Sequence, residues 1–300
     1  MFNAMRASAN SIINRVMSNA NGIGESKREA RAKSQIKGEN GHKVSDKAHS
    51  IKEVQNLRST TTQYINYIKE NCTGKLSLNI NAQSAKSFII SKLEDGSWKG
   101  SSANTNISNL NKIVDNLNKD NIGLLTRSDI KKIKTEIKQD YNLSKVHINR
   151  AYMNPNIIVE AMKYTIMAIS ATLQHEAGLR SDDAINSNKW TINKDNTITI
   201  SGSKGGIHYT TKPLKTETIQ RAIEAKKMSY KANYSEYREA LKNAVEQTNQ
   251  RWSGTHGLRY NFTQERIEEL KNHDYADDEA KGQTSLEMGH SRLDIVYNYL

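Results

Sequence analysis

The 300-residue sequence has a single cysteine, two prolines and no long hydrophobic run. One cysteine, Cys72, excludes an internal disulfide framework and any zinc site built on several cysteine ligands. No uninterrupted apolar stretch approaches the roughly 18 residues that a membrane span requires. The first residues lack the apolar block and small-residue cleavage site of a secretory signal. We therefore expect a soluble, cytoplasmic protein that does not enter a membrane and folds without a metal ion.

Positive charge is in excess. Lysine and arginine number 44 against 32 aspartate and glutamate residues, a formal net charge of +12. Such an excess favours a polyanionic partner, either nucleic acid or an anionic membrane surface. A lysine-rich composition inherited from an AT-rich genome would give the same excess, so charge alone does not choose. The eight histidines do not indicate a metal hydrolase, because no pair has ligand spacing with carboxylates on a helix face.

The first half of the chain predicts a basic arm followed by a small helical domain. Residues 1–47 carry nine basic and four acidic side chains and four glycines, which is typical of a flexible arm with at most one short helix. Beyond them, a helical domain is predicted over 48–122, and a linker over 123–149. Apolar residues recur at helical spacing in three stretches of that domain: 51–68, 84–93 and 101–117.

The second half predicts a mixed domain over 150–300. Ile157 to Leu173 is the most apolar stretch of the chain and is expected to cross the core. Apolar and polar residues then alternate in three short segments around Gly205-Gly206, which predicts a small antiparallel sheet with a hairpin. Helical patterns return after this sheet. The predicted fold class is therefore mainly α with a small antiparallel β-sheet.

Four short stretches of this domain carry its candidate chemistry: HEAGLRSDDAI (175–185), SGSKGG (201–206), THGLRYNFTQER (255–266) and MGHSRLDIVYNYL (288–300). In this order they resemble the signature blocks of the tyrosine recombinase family, the integrases of phages and conjugative elements. That family shares an arginine, a hairpin lysine, a His-x-x-Arg, a Gly-His and a terminal tyrosine. The resemblance implies a catalytic domain over 150–300. Less specifically, DGSWKGSSANTNISNLNKIV resembles the family's helical, SAM-like core-binding domain.

Phosphodiester exchange through a protein nucleophile requires cations for the charge on the nonbridging oxygens and an acid for the leaving 5′ oxygen. Arg180 and Arg259 suit the first task, because a guanidinium stays charged and donates to phosphate oxygens in pairs. An isolated arginine more often forms a surface ion pair. Each of these two, however, follows Gly-Leu in a block that matches the family.

The resemblance implies the roles of the other polar residues. Lys204 at the hairpin tip would be the general acid, with Lys194 and Lys212 as nearby alternatives. His256 would exchange a proton with the tyrosine, and His290 would hydrogen-bond the phosphate. An ordinary turn lysine and a buried structural histidine are the simpler interpretations of Lys204 and His256.

Two tyrosines compete for the role of nucleophile. The family pattern places the tyrosine nine residues after the Gly-His histidine, which selects Tyr299 over Tyr297. A phenol with a pKa near roughly 10 needs neighbouring cations or a base to react. Asp183, three residues after Arg180, matches the position of an acidic residue in the family. The resemblance implies that it supports the active-site arginine without touching DNA.

Two features depart from the common family pattern. The gap between Arg259 and His290 is longer than in compact relatives and predicts an inserted acidic loop over 273–285. Tyr260 stands where many relatives have histidine, and it receives no role.

DNA contacts outside the catalytic site are expected at the start and along the helices of the core-binding domain. A helix start offers free backbone N–H groups to phosphate, and lysines reach the backbone of a duplex. A solvated helix face is the alternative. The candidates are Lys86, Lys99, Ser101, Ser102, Asn104 and Lys112.

The resemblance implies a site-specific recombinase that integrates or excises a mobile element through a 3′-phosphotyrosyl intermediate. It implies a homo-tetramer on double-stranded DNA recombination sites, no cofactor, and accessory DNA-bending or excision factors as candidate partners. A type IB topoisomerase would use a similar residue set but relax supercoils without exchanging strands. A catalytically silent DNA-binding protein of the same fold is the alternative from another class, and the intact residue set argues against it.

Overall fold

The computed structural model divides into two compact units, Met1–Val146 and His147–Leu300. Each has hydrophobic clusters of its own. Within the described part of the chain, no helix has both the length and the apolar character to cross a membrane. Apart from the side chains at 101 and 293, the structure describes residues 9–38, 41–141, 143, 148–290 and 293–300.

The first unit is helical. Side chains cap several of its helices: the backbone N–H of Glu53 donates to Ser50 Oγ, and Asn81 and Thr126 accept in the same way at two later helix starts. A short 3₁₀ helix, Leu76–Asn79, precedes the fourth helix described below. The α-helices in the described residues are α1 (Ala9–Asn19), α2 (Lys27–Lys33), α3 (Ile51–Asn71), α4 (Ala82–Glu94), α5 (Gly100–Asn118) and α6 (Arg127–Asp140).

The N-terminal segment departs from the prediction of a flexible arm over 1–47. Helix α1 buries Ile12, Ile13, Val16 and Met17 and packs against α3 and α5. The described residues that follow are also tied down, because Ala48 exchanges backbone hydrogen bonds with the chain just beyond α1. Averaging charge over the whole segment hides this apolar stripe, which spans only two helical turns.

Helix α6 also departs from the prediction, which assigns it to a linker over 123–149. Its Ile130, Ile133 and Ile137 are buried in the core of the first unit, against α4 and α5. Positions three and four apart share one helix face, so three isoleucines suffice to anchor an otherwise charged helix. The predicted helices over 51–68, 84–93 and 101–117 correspond to α3, α4 and α5.

The second unit combines helices with one small sheet. Its described α-helices are α7 (Pro155–Ala161), α8 (Ala168–Glu176), α9 (Ser181–Ala184), α10 (Thr216–Lys227), α11 (Tyr234–Gln247), α12 (Gly257–Lys271) and α13 (Asp277–Glu287). Its strands are β1 (Trp190–Ile192), β2 (Ile198–Ser203) and β3 (Ile207–Thr210), and its 3₁₀ helices are Ser187–Lys189 and Leu293–Tyr299. The mainly helical fold with a small antiparallel sheet is confirmed.

The sheet has the order β1-β2-β3 with antiparallel neighbours. Trp190 pairs with Ile200, and Ile200 pairs in turn with Tyr209. A register shift separates Ile200 from Ser203 in β2. The turn between β2 and β3 contains Gly205-Gly206, as the hairpin prediction requires.

One apolar stretch and one acidic stretch differ from their predictions. Ile157 to Leu173 is interrupted between α7 and α8, where Tyr164 and Ile166 are exposed. The acidic stretch over 273–285 is mostly the helix α13 rather than a loop, because Asp277, Asp278 and Glu279 stand in its first turn, where negative charge stabilises a helix.

Candidate active site

The four sequence blocks meet in the second unit because α12 packs against α8, α13 and the final 3₁₀ helix, and because α9 packs against β2. Two glycines permit this close packing. A Cβ on Gly178 would lie 2.3 Å from Phe262 Cδ1, and a Cβ on Gly289 would lie 2.4 Å from Tyr209 Cδ1. Both glycines also have positive φ angles, which side chains disfavour. Any larger residue at these positions would separate the blocks.

Arg259 lies in the first turn of α12 and is fully buried. Its guanidinium donates to the carbonyl oxygens of Gly178 and, over 2.8 Å, Met288. Its Nε lies 3.3 Å from the hydroxyl oxygen of Tyr299. Arg259 therefore joins the first, third and fourth sequence blocks, and its charge lies beside the candidate nucleophile.

Arg180 immediately precedes α9. Its Nη1 donates to Ser203 Oγ over 3.0 Å, and its Nη2 donates to the carbonyl of Gly289 over 3.3 Å. Its Cζ is 6.0 Å from the centre of the Tyr209 ring. Burial lowers the pKa of Arg180, and the neighbouring charge of Arg259 lowers it further. A guanidinium still remains protonated under these conditions.

His290 lies between the two arginines. Its Nε2 is 3.0 Å from Arg259 Nη2, and its Nδ1 is 3.4 Å from Arg180 Nη2. Burial and both positive charges lower the pKa of His290 to about 3. The imidazole is therefore neutral at pH 7, and it accepts a hydrogen bond from only one arginine at a time.

Tyr299 and Tyr297 occupy different environments. Tyr299 is 8% exposed, and its ring centre is 4.8 Å from that of Tyr260 and 5.9 Å from that of His290. Tyr297 is 47% exposed, with Lys281 Nζ at 4.9 Å from its ring centre. The structure thus groups Tyr299 with both arginines, and it gives Tyr260, which has no role in the sequence analysis, a packing role beside it.

His256 lies at the start of α12, half-buried. Burial lowers its pKa to about 4, together with the charges of Arg259, Arg150 and Arg180. The imidazole is neutral at pH 7 and can accept a proton. Lys204 is exposed in the turn after β2, and it forms no hydrogen bond or ion pair with another described residue.

Asp183 is 1% exposed and does not contact Arg180 by any hydrogen bond among the described atoms. It accepts from Lys189 Nζ over 2.8 Å, from Ser203 Oγ over 2.5 Å and from the Tyr209 hydroxyl over 3.3 Å. Neither Ser203 nor Tyr209 is among the functional residues expected from the sequence. The position of Ser203 next to Lys204 is the only available signal for it, and Tyr209 has none.

The candidate DNA contacts of the first unit are largely engaged within that unit. Lys86 forms an ion pair with Glu136 at 2.8 Å. Lys112 Nζ donates to the carbonyl of Lys47 over 2.8 Å, and burial lowers its pKa. These two lysines hold elements of the unit together, so contact with a phosphate would require them to exchange partners.

The start of α5 carries the remaining candidates. Ser102 Oγ accepts from the backbone N–H of Lys99 over 2.9 Å, which caps the helix. Asn104 Nδ2 donates to the carbonyl of Leu143 over 2.7 Å. The side chain of Ser101 lies outside the described residues. No cluster of three histidine, cysteine or acidic side chains in the described part of the chain could hold a metal ion.

Neither a family model nor a curated protein matches the sequence. Solved structures match the fold. XerH site-specific recombinase bound to its difH substrate has a TM-score of 0.60 at 12% identity, over 99% of this chain and 94% of that chain. A lambda integrase tetramer bound to a Holliday junction has a TM-score of 0.57 at 13% identity, over 84% and 72%. The chain has the tyrosine recombinase fold.

A third structure supports this fold. The Tn1549 transposon integrase in complex with circular intermediate DNA has a TM-score of 0.54 at 12% identity, over 96% of this chain and 94% of that chain. The tyrosine recombinase fold therefore takes in described residues of both units.

Proposed function

We propose that this chain is a site-specific DNA recombinase that cleaves and rejoins strands through Tyr299. The observation that supports it most is the group around the Tyr299 hydroxyl, where Arg259 Nε lies 3.3 Å away and His290 lies between Arg259 and Arg180. The positive charges of Arg259 and Arg180 attract a phosphate to the point where the Tyr299 oxygen would attack it.

The arginines would neutralise the phosphate in the transition state. Each guanidinium has five N–H donors. Among the described residues, the Nε–H and one Nη1–H of Arg180 and one Nη1–H of Arg259 have no acceptor. These donors are available for the nonbridging oxygens, where negative charge develops. The remaining donors hold each guanidinium in place, so little reorganisation is needed when DNA binds.

In the first step the Tyr299 oxygen attacks phosphorus, and its phenolic proton passes to neutral His256. The bond from phosphorus to the 5′ oxygen breaks, and that oxygen takes a proton from Lys204. The products are a 3′-phosphotyrosyl bond and a free 5′-hydroxyl. An exposed lysine in a hairpin turn can move to reach this oxygen.

In the second step the 5′-hydroxyl of a partner strand attacks the phosphotyrosyl bond. Its proton leaves to Lys204, and the Tyr299 oxygen recovers its proton from His256. The phosphotyrosyl linkage retains the energy of the cleaved phosphodiester bond, so rejoining needs no external source of energy. Exchange of partners between the steps distinguishes recombination from relaxation of supercoils.

The wider role we propose is integration or excision of a mobile element by a homo-tetramer on two double-stranded recombination sites. Its support is the fold shared with a lambda integrase tetramer on a Holliday junction and with a transposon integrase on circular intermediate DNA. The net charge of +12 suits a DNA partner. Accessory DNA-bending or excision factors would act on the same sites.

The decisive test is whether the protein forms a covalent adduct with DNA. The protein is incubated with nicked and supercoiled DNA carrying candidate element ends in EDTA, and adducts are resolved on a denaturing gel. We expect an adduct from wild type and from Tyr297→Phe, and none from Tyr299→Phe. Loss of the adduct only in Tyr297→Phe would overturn the assignment of the nucleophile.

Two further outcomes separate the alternatives. Relaxation of supercoiled DNA without joined products from two sites would indicate topoisomerase-like activity. Salt-dependent DNA binding without an adduct on any substrate would indicate a silent DNA-binding protein.

A further inference from the structure

The β2–β3 hairpin contacts Arg180 through a hydroxyl that the proposed reaction steps do not use. Arg180 Nη1 donates to Ser203 Oγ over 3.0 Å, and Ser203 Oγ donates to Asp183 Oδ2 over 2.5 Å. Lys189 Nζ holds the other carboxylate oxygen at 2.8 Å. The buried negative charge of Asp183 therefore acts on Arg180 through Ser203.

A β-bulge aims Ser203 at this position. Ile198 and Ile200 point inward, so strict alternation would turn residue 202 inward and Ser203 outward. The register instead shifts between Ile200 and Ser203, Gly202 takes a φ of 64°, and Ser203 is buried. Bulges re-aim side chains in this way, and a glycine at positive φ permits it. Lys204 consequently follows directly after an anchored residue.

The opposite strand of the hairpin is anchored at the same carboxylate. The Tyr209 hydroxyl donates to Asp183 Oδ2 over 3.3 Å, and its ring lies 6.0 Å from Arg180 Cζ. Both strands that flank the turn are thus tied to the segment that carries Arg180. A movement of the hairpin would move Ser203 away from the guanidinium.

We propose that Ser203 is a positioning residue that holds the Arg180 guanidinium toward the scissile phosphate and couples it to the hairpin that carries Lys204. The proposal rests on the proposed function, because it concerns the rate of DNA cleavage. It assigns to Ser203 no contact with DNA and no proton transfer.

The test compares full-length Ser203→Ala with wild type and with Ser201→Ala, a half-buried serine of the same strand. Adduct formation is timed on the nicked duplex that wild type cleaves, and on the same duplex with a methylphosphonate at the scissile position. The methyl group replaces a nonbridging oxygen and removes the negative charge that Arg180 neutralises. A displaced Arg180 therefore matters less on the second substrate.

We expect Ser203→Ala to slow cleavage of the phosphodiester by about 10- to 100-fold, the effect of losing one hydrogen bond to a charged group. On the methylphosphonate the loss should fall to about threefold or less. Ser201→Ala should cleave both substrates like wild type. An unchanged rate for Ser203→Ala, or equal losses on the two substrates, overturns the proposal.

A second pair of variants covers the case in which Ser203→Ala does not fold. Ser203→Thr and Ser203→Val have nearly the same shape and differ in the hydroxyl, so Thr should cleave the phosphodiester about tenfold faster than Val. Equal rates for this pair overturn the proposal. Absence of an adduct from wild type itself would overturn the proposed function and this inference together, whereas a wild-type adduct with insensitive Ser203 variants overturns only the inference.

Discussion

At the scale of single residues, the second unit concentrates positive charge around a neutral histidine. Burial, together with the charges of Arg259 and Arg180, keeps His290 unprotonated. Such an arrangement stores unfavourable electrostatic energy that an incoming phosphate would relieve. The same arrangement makes the stability of the DNA-free protein sensitive to acid.

We expect the acid sensitivity of His290 to appear in the free energy of unfolding. Its pKa is about 3 in the folded protein and about 6.5 in an unfolded chain, so the unfolded state binds more protons between these values. Stability is therefore lost as pH falls from about 6.5 toward 3. Between pH 7 and pH 5, His290→Asn should lose about 1–2 kcal/mol less than wild type. Denaturant titrations at the two pH values measure this difference.

His273 provides the matched control for that measurement. It is exposed beyond the end of α12, so His273→Asn should lose as much stability on acidification as wild type. Equal losses for His290→Asn and wild type would show that burial and the two arginines do not hold His290 neutral.

At the scale of secondary structure, α1 is the element whose contribution is least evident from composition. Its Ile12 is 1% exposed within the core of the first unit. Burial of an isoleucine contributes through both transfer from water and packing, so its truncation leaves a cavity.

Ile12→Ala should lower the free energy of unfolding by about 2–4 kcal/mol, measured by chemical denaturation of the full chain. Asn10→Ala, an exposed position of the same helix, should change it by less than about 0.5 kcal/mol. If the two variants unfold at the same denaturant concentration, α1 does not belong to the core of the first unit.

At the scale of the whole molecule, net charge would govern association with the proposed DNA partner. A chain with a formal charge of +12 would displace counterions from the phosphates that it neutralises. Binding would then weaken steeply with salt, whatever the DNA sequence.

We expect the affinity for duplex DNA to fall by about 10³-fold or more between about 50 and 200 mM salt, as seen for proteins that neutralise several phosphates. Fluorescence anisotropy with a labelled duplex measures this slope. Tyr299→Phe removes no charge and should give the same slope as wild type. An affinity that does not change with salt would contradict DNA binding through the basic surface.

The sequence by itself determined the fold class and supplied the candidate site residues. Helical spacing in α3, α4 and α5 and the alternation around Gly205-Gly206 depend on residues close together in the chain, where local pattern governs structure. Arg180, Arg259, His290 and Tyr299 were identified instead by the resemblance of short stretches to the tyrosine recombinase family. These local patterns did not specify which distant segments of the chain come into contact.

Only the tertiary structure decided the places where distant contacts override local pattern. The stripe on α1 and the three isoleucines of α6 find partners in the core of the first unit, although the charge around them predicts an arm and a linker. Ser203 points inward because a bulge breaks the alternation of β2 and because Asp183, twenty residues earlier, accepts a hydrogen bond from its hydroxyl. Arg259 is held by a carbonyl 81 residues away. Such contacts depend on the packing of the whole unit, and no local stretch of sequence encodes them.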